Sequence, residues 1–227
     1  DQSLRFDDGD SPYLSRTPSS AGNRKTWTWS GWFKRGNVDM TATKLFGAGT
    51  SFAVNHDNST YAYFYTDTLC FISETAGSGT FNLYTTQVFR DPSAWYHIVL
   101  AVDTEQGTAA DRIKIYINGS QVTDFTTETY PAEDSEHYVN ATNIHYIGRT
   151  TASSYLDGYL AEVYLIDGTA LTPSSFGKTD TATNQWIPIE ATGLTYGTNG
   201  FYQKYSATEL AASFEDSAER SVYTVTA

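Results

Sequence analysis

The chain has one cysteine in 227 residues, Cys70, so no internal disulfide can form. Its neighbours Leu69, Phe71 and Ile72 mark it as a thiol on an ordinary strand, and stability must come from packing. Basic residues are also scarce: 14 lysines and arginines face 26 aspartates and glutamates, a formal net charge of −12. Without a basic stripe to release counterions from phosphates, nucleic acid is excluded as a partner. Long apolar runs are missing too. The longest, Ile98 to Val102, falls far short of the roughly 20 residues a membrane helix needs, so no membrane insertion is expected. The histidines at 56, 97, 137 and 145 are scattered, with no ligand spacing for zinc and no Gly-x-Ser-x-Gly elbow for a nucleophilic triad.

Aromatic residues, by contrast, make up 15% of the chain, which favours strands over helices. The stretch WYHIVLAVDTEQGTAADRIKIYINGSQV, from Trp95 to Val122, orders the rest. Its first half is apolar on both alternating rows, as suits a central strand covered on two faces. In its second half Ile113, Ile115 and Ile117 alternate with Arg112, Lys114, Tyr116 and Asn118, giving one buried and one wetter side. Asn118-Gly119 supplies the two positive-φ positions of a type I′ turn, so an antiparallel meander is expected, with Trp95 and the three isoleucines in the core. TWTWSGWFKR, Thr26 to Arg35, puts Trp27 and Trp29 on one row and Trp32 on the other, a second inner strand.

Short strands are also expected at Ser3–Phe6, Tyr13–Ser15, Lys44–Phe46, Phe52–His56, Tyr61–Thr66, Leu69–Ser73 and Asn143–Gly148. Thr75 to Pro92 reads mostly as loop around a short strand at Phe81 to Tyr84, and Thr126 to Thr142 as a long surface loop. In YLDGYLAEVYLIDGTAL, alternation places Leu160, Glu162, Tyr164 and Ile166 on one face and Ala161, Val163 and Leu165 on the other. Thr172-Pro173 then starts a single helical turn. The aromatics of WIP (Trp186 to Pro188) and YGTNGFY (Tyr196 to Tyr202) read as plugs pinning an irregular tail.

Three segments in order, SLRFDDGDSPYLS, AWYHIVLAVDT with IKIYINGSQV, and YLDGYLAEVYLIDGTALTPSSF, resemble the laminin-G-like, concanavalin A-like jelly rolls, particularly those encoded by marine bacteriophages. The resemblance covers about residues 2 to 177. It implies an all-β, two-sheet antiparallel sandwich in which the first and closing strands meet. It also implies a jelly-roll domain over 1–180, with a C-terminal extension, 181–227, packed on the sandwich or serving as a partner-binding arm. The family's usual Ile-Asp-Glu on the closing strand is Leu160-Ala161-Glu162 here.

Such folds serve lectins, glycosidases, adhesion modules and virion proteins alike, so function has to be argued from residues. No strand carries the spaced carboxylates of a glycosidase, and no catalytic residue is assigned. Calcium is the one candidate cofactor: Asp8, Asp10, Asp57, Asp157 and Asp167 are possible ligands, weighed against the reading that each is a turn-forming aspartate. Tyr61, Tyr63 and Tyr65 share one face of a strand whose other face carries Ala62 and Phe64, and they form the candidate outward ladder for a partner or sugar. The preferred expectation is a non-enzymatic virion surface protein (tail, fibre or capsid decoration) that contacts other virion proteins or copies of itself and cell-surface glycan. A secreted bacterial lectin-like adhesion domain is the alternative, and a polysaccharide-active enzyme ranks last.

Overall fold

The computed structural model describes residues 2–38, 42–50, 57–151, 154–205, 213–215 and 222–226. Its strands begin with β1 (Leu4–Phe6), β2 (Tyr13–Arg16), β3 (Thr26–Arg35), β4 (Ala42–Gly49), β5 (Ser59–Tyr65), β6 (Thr68–Thr75) and β7 (Ser78–Val88). Next come β8 (Tyr96–Asp103), β9 (Ile113–Ile117), β10 (Ser120–Gln121), β11 (Phe125–Thr129), β12 (Ile144–Ile147), β13 (Arg149–Thr151) and β14 (Ser154–Tyr155). The last are β15 (Gly158–Asp167), β16 (Gly177–Thr179), β17 (Trp186–Pro188), β18 (Phe201–Gln203), β19 (Ser213–Glu215) and β20 (Val222–Thr226).

Alternation along these strands builds a two-sheet antiparallel sandwich. One sheet runs β1-β15-β3-β8-β9-β10, with β18 also paired to β15; the other runs β11-β7-β6-β5-β4-β12-β2-β20-β19. The core lies between them. Trp27, Trp29 and Phe33 of β3 meet Phe71, Phe46 and Phe64 of the opposite sheet at centroid distances of 6.0, 5.8 and 5.2 Å. Ile98, Leu100 and Val102 of β8 and Ile113, Ile115 and Ile117 of β9 complete this layer, all buried. The first and closing strands do meet, Leu4 opposite Leu160. Asn118 and Gly119 take φ of 48° and 82°, as the turn between β9 and β10 requires.

Some expectations need correction. Trp95 precedes β8 and is 36% exposed, its ring edge-on to Tyr159 outside the core. Thr75 to Pro92 is mostly strand, because β7 turns Phe81, Leu83 and Thr85 inward. Within Thr126 to Thr142, β11 pairs with β7 as an edge strand, and Val139, Asn140 and Ala141 are buried. On β15 the pairing with β3 slips between Ala161 and Tyr164, a β-bulge. The extra residue breaks the simple alternation: Leu160 joins the core with Val163 and Leu165, whereas Tyr164 and Ile166 join a separate cluster beneath the tail. Phe52–His56 lies outside the described residues.

Candidate functional site: a tryptophan-lined cleft over the bulge of β15

The bulge puts Glu162 at φ 50°, a left-handed backbone that a side chain with a Cβ rarely adopts. Such strain persists where surrounding structure holds it, and it concentrates at functional positions. Here the restraint comes from two tyrosines. Tyr164 and Tyr202 stack face to face at 4.2 Å and 4°. Both hydroxyls donate to the same carboxylate oxygen of Glu162, Oε2, at 2.9 and 2.5 Å. Burial first, and the Glu162 carboxylate with it, raise both phenols above their ordinary range, so they remain donors. Among the described residues Oε1 of Glu162 has no protein partner.

Beside Glu162 opens a mainly apolar cleft of about 390 Å³, walled by Trp32, Trp95, Trp186, Ile187 and Pro188, with Gln2 and Ser3 at its margin. Each wall comes from a different part of the chain. Trp32 lies on the row of β3 opposite Trp27 and Trp29, facing away from the core. Trp95 stands just before β8, and β17, held by β16, brings in Trp186 to Pro188. His97 of β8, buried, braces two of the walls. It stacks on Trp32 at 4.9 Å and on Trp186 at 6.0 Å. Its Nδ1 accepts a hydrogen bond from Trp186 Nε1 at 3.0 Å, which leaves Nε2–H to donate to Ser30 Oγ at 2.9 Å. Burial holds the imidazole down to about 3, so it stays neutral and keeps this tautomer. Two glycines make room for Trp186: a Cβ at Gly119 would stand 2.5 Å from its ring, and one at Gly177 2.6 Å.

The tyrosine row on β5 does face away from the core, but most of it is covered. Tyr61 and Tyr63 are 3% and 8% exposed, and Tyr65 alone, at 53%, stands in solvent. The Lys44 ammonium lies 3.8 Å from the Tyr63 centroid and 4.8 Å from that of Tyr61, and the Tyr63 hydroxyl bonds that of Tyr84 at 3.1 Å. Burial pushes Lys44 down to about 8 and the neighbouring Cys70 thiol up to about 12, as befits an inert strand thiol.

The five aspartates considered for calcium do not converge. Asp8 and Asp10 sit on a short 3-10 turn. Asp157 lies near enough to Asp8 that burial, then the Asp8 and Asp7 charges, raise its pKa, while Asp57 is close to Glu74 instead. Asp167 is wrapped by donors: its carboxylate accepts from the backbone N–H of Asn23, Thr198 and Asn199 and from the Asn140 side chain. N–H groups crowding a carboxylate compete with a cation, and this aspartate ties the tail to two loops. Among the described residues, no three His, Cys, Asp or Glu side chains are placed to hold a metal ion.

Trp32, Trp95, Trp186 and Glu162 form no motif in the sequence. The available signals were Trp32 on the wrong row for the core and a glutamate inside an apolar strand.

No curated protein matches the chain. Among solved structures, a Bacteroides ovatus protein proposed to bind carbohydrate superposes with a TM-score of 0.63 at 15% identity, over 99% of this chain and 58% of that one. This chain therefore spans little more than half of that protein. A heptameric SAP-like pentraxin of Limulus polyphemus gives 0.53 at 17% identity, over 87% and 91% of the two chains. A tailspike protein of an Escherichia coli O157:H7 bacteriophage gives 0.52 at 13% identity, over 76% and 23%. At these identities the likeness is one of fold. The Laminin G 3 family profile, described as the concanavalin A-like lectin/glucanases superfamily, matches residues 8–175. With most of its length matched and its sandwich closed as that architecture requires, this chain belongs to the concanavalin A-like lectin/glucanases superfamily.

Proposed function

We propose that this chain is a non-enzymatic glycan-binding attachment module of a virion surface, and that the tryptophan cleft holds the sugar. The observation that carries this reading is the cleft itself: tryptophan and proline walls beside a carboxylate with one uncommitted oxygen. A pyranose ring has an apolar face of C–H groups that suits the negative face of an indole, and its rim hydroxyls need acceptors such as Glu162. In this reading the extension 181–227 serves the jelly-roll domain 1–180 by supplying Trp186 and Pro188. The virion setting is supported by the sequence resemblance to phage-encoded jelly rolls. A secreted adhesion domain would use the same cleft.

Hydrolysis is the second reading, because Glu190 and Glu162 line one stretch of groove. Binding is preferred because no strand carries the spaced carboxylates of a glycosidase, and one oxygen of Glu162 is already engaged by two tyrosine hydroxyls. Glycan-array binding by the whole chain tests the proposal, together with Trp95→Ala. Losing one stacking wall should weaken binding about tenfold, with the melting temperature unchanged. Binding that survives the substitution intact, or release of reducing ends from the bound glycan, would overturn it. Antibody labelling of intact particles, set against culture supernatant, separates the virion from the secreted setting.

A further inference from the structure

The cleft does not end at Glu162. A second hollow of about 350 Å³ continues beyond it, sharing Glu162 and Pro188 with the first and lined also by Glu190, Tyr202 and Lys204. The two halves differ in chemistry: the first is walled by indoles, the second by charged and hydroxyl groups. Glu190 and Lys204 are both exposed and share this hollow, yet neither forms an ion pair among the described residues. A carboxylate acceptor and an ammonium donor are thus left available in one groove. Two carboxylates against one ammonium leave the groove with a net negative charge, on a chain whose formal charge is already −12.

Resting on the glycan reading above, we propose that the groove is a two-subsite site for an uncharged oligosaccharide. One sugar stacks between the tryptophans, Glu162 bonds hydroxyls near the linkage, and the next sugar is held by Glu190 and Lys204. A single sugar would fill only the stacking half. An acidic sugar would meet two carboxylates in the groove, a Coulombic penalty on the order of tenfold in affinity.

Isothermal titration of the whole chain tests this, using gluco-, manno- and galacto-oligosaccharides of one to four residues beside the corresponding oligouronates. Affinity should rise at least about tenfold from one to two residues, since the second sugar adds hydrogen bonds to charged groups, and the uronates should bind more weakly. Lys204→Ala and Glu190→Gln, both at exposed positions, should remove the gain from the second residue while leaving single-sugar binding unchanged. Equal affinity for one and two residues, or uronates binding as well as neutral sugars, overturns the two-subsite proposal and leaves the glycan reading standing. Absence of binding to every saccharide in these series and on the array overturns both.

Discussion

At Glu162 the usual ranking of small residues should invert. Alanine normally stabilises a strand interior relative to glycine, but at φ 50° a Cβ is a penalty. Glu162→Ala should therefore be less stable than Glu162→Gly by about 1 kcal/mol, read from paired urea denaturation curves. Both variants should lose saccharide binding, and an alanine variant more stable than the glycine one would refute the left-handed bulge. Tyr63 gives a second residue-scale expectation. With its ring under Lys44 and its hydroxyl on Tyr84, Tyr63→Ser should lower stability by at least about 2 kcal/mol without altering attachment. A ladder made for partners would behave the opposite way, losing attachment at an unchanged melting temperature.

At the scale of elements, the β9 to β10 hairpin has two roles. Its isoleucines fill the core, so Ile115→Ala, at a fully buried position, should cost roughly 2 to 5 kcal/mol in chemical denaturation. Its turn is also the socket for Trp186. Gly119→Ala would place a methyl against that ring and strain a backbone at φ 82°, so stability and saccharide binding should fall together. Asn118-Gly119 was legible as a turn because two positive φ values have a clear residue signature. The socket was not, since nothing near Gly119 in sequence points to a tryptophan arriving from the tail. The same division holds elsewhere. The rows of Ile113 and Trp27 could be read because each strand keeps its period of two, whereas the bulge at Ala161-Glu162 adds a residue without changing composition and shifts every face after it. Alternation puts the tyrosines on one row but says nothing about what lies over it, and Tyr61 and Tyr63 are covered. The site is not legible in the sequence for a related reason: its lining comes from five distant segments, around residues 2, 32, 95, 162 and 187, none of which marks a site alone.

At the scale of the whole molecule, three buried histidines tie stability to pH. Burial first of all lowers His97 to about 3 and His137 and His145 to about 4, against an ordinary value of 6.5. Above pH 6.5 these histidines are neutral in both folded and unfolded chains and have no effect. Below it, the unfolded chain takes up protons that the folded one refuses, so stability falls as pH drops from 6.5 towards 4, with a limiting slope of about 1.4 kcal/mol per pH unit for each histidine. Urea midpoints at pH 7, 6 and 5 should decline accordingly, and His137→Gln should reduce the slope by about one proton's share. A flat profile would mean that these imidazoles are solvated. The tryptophans carry a different consequence. Of the five in the chain, Trp27 and Trp29 are sealed in the core, while Trp32, Trp95 and Trp186 line the cleft. The protein therefore contains its own optical reporter. A bound sugar that dries Trp95 should shift intrinsic emission to the blue over a constant background from the sealed pair, so ligands can be screened by fluorescence without attaching a dye.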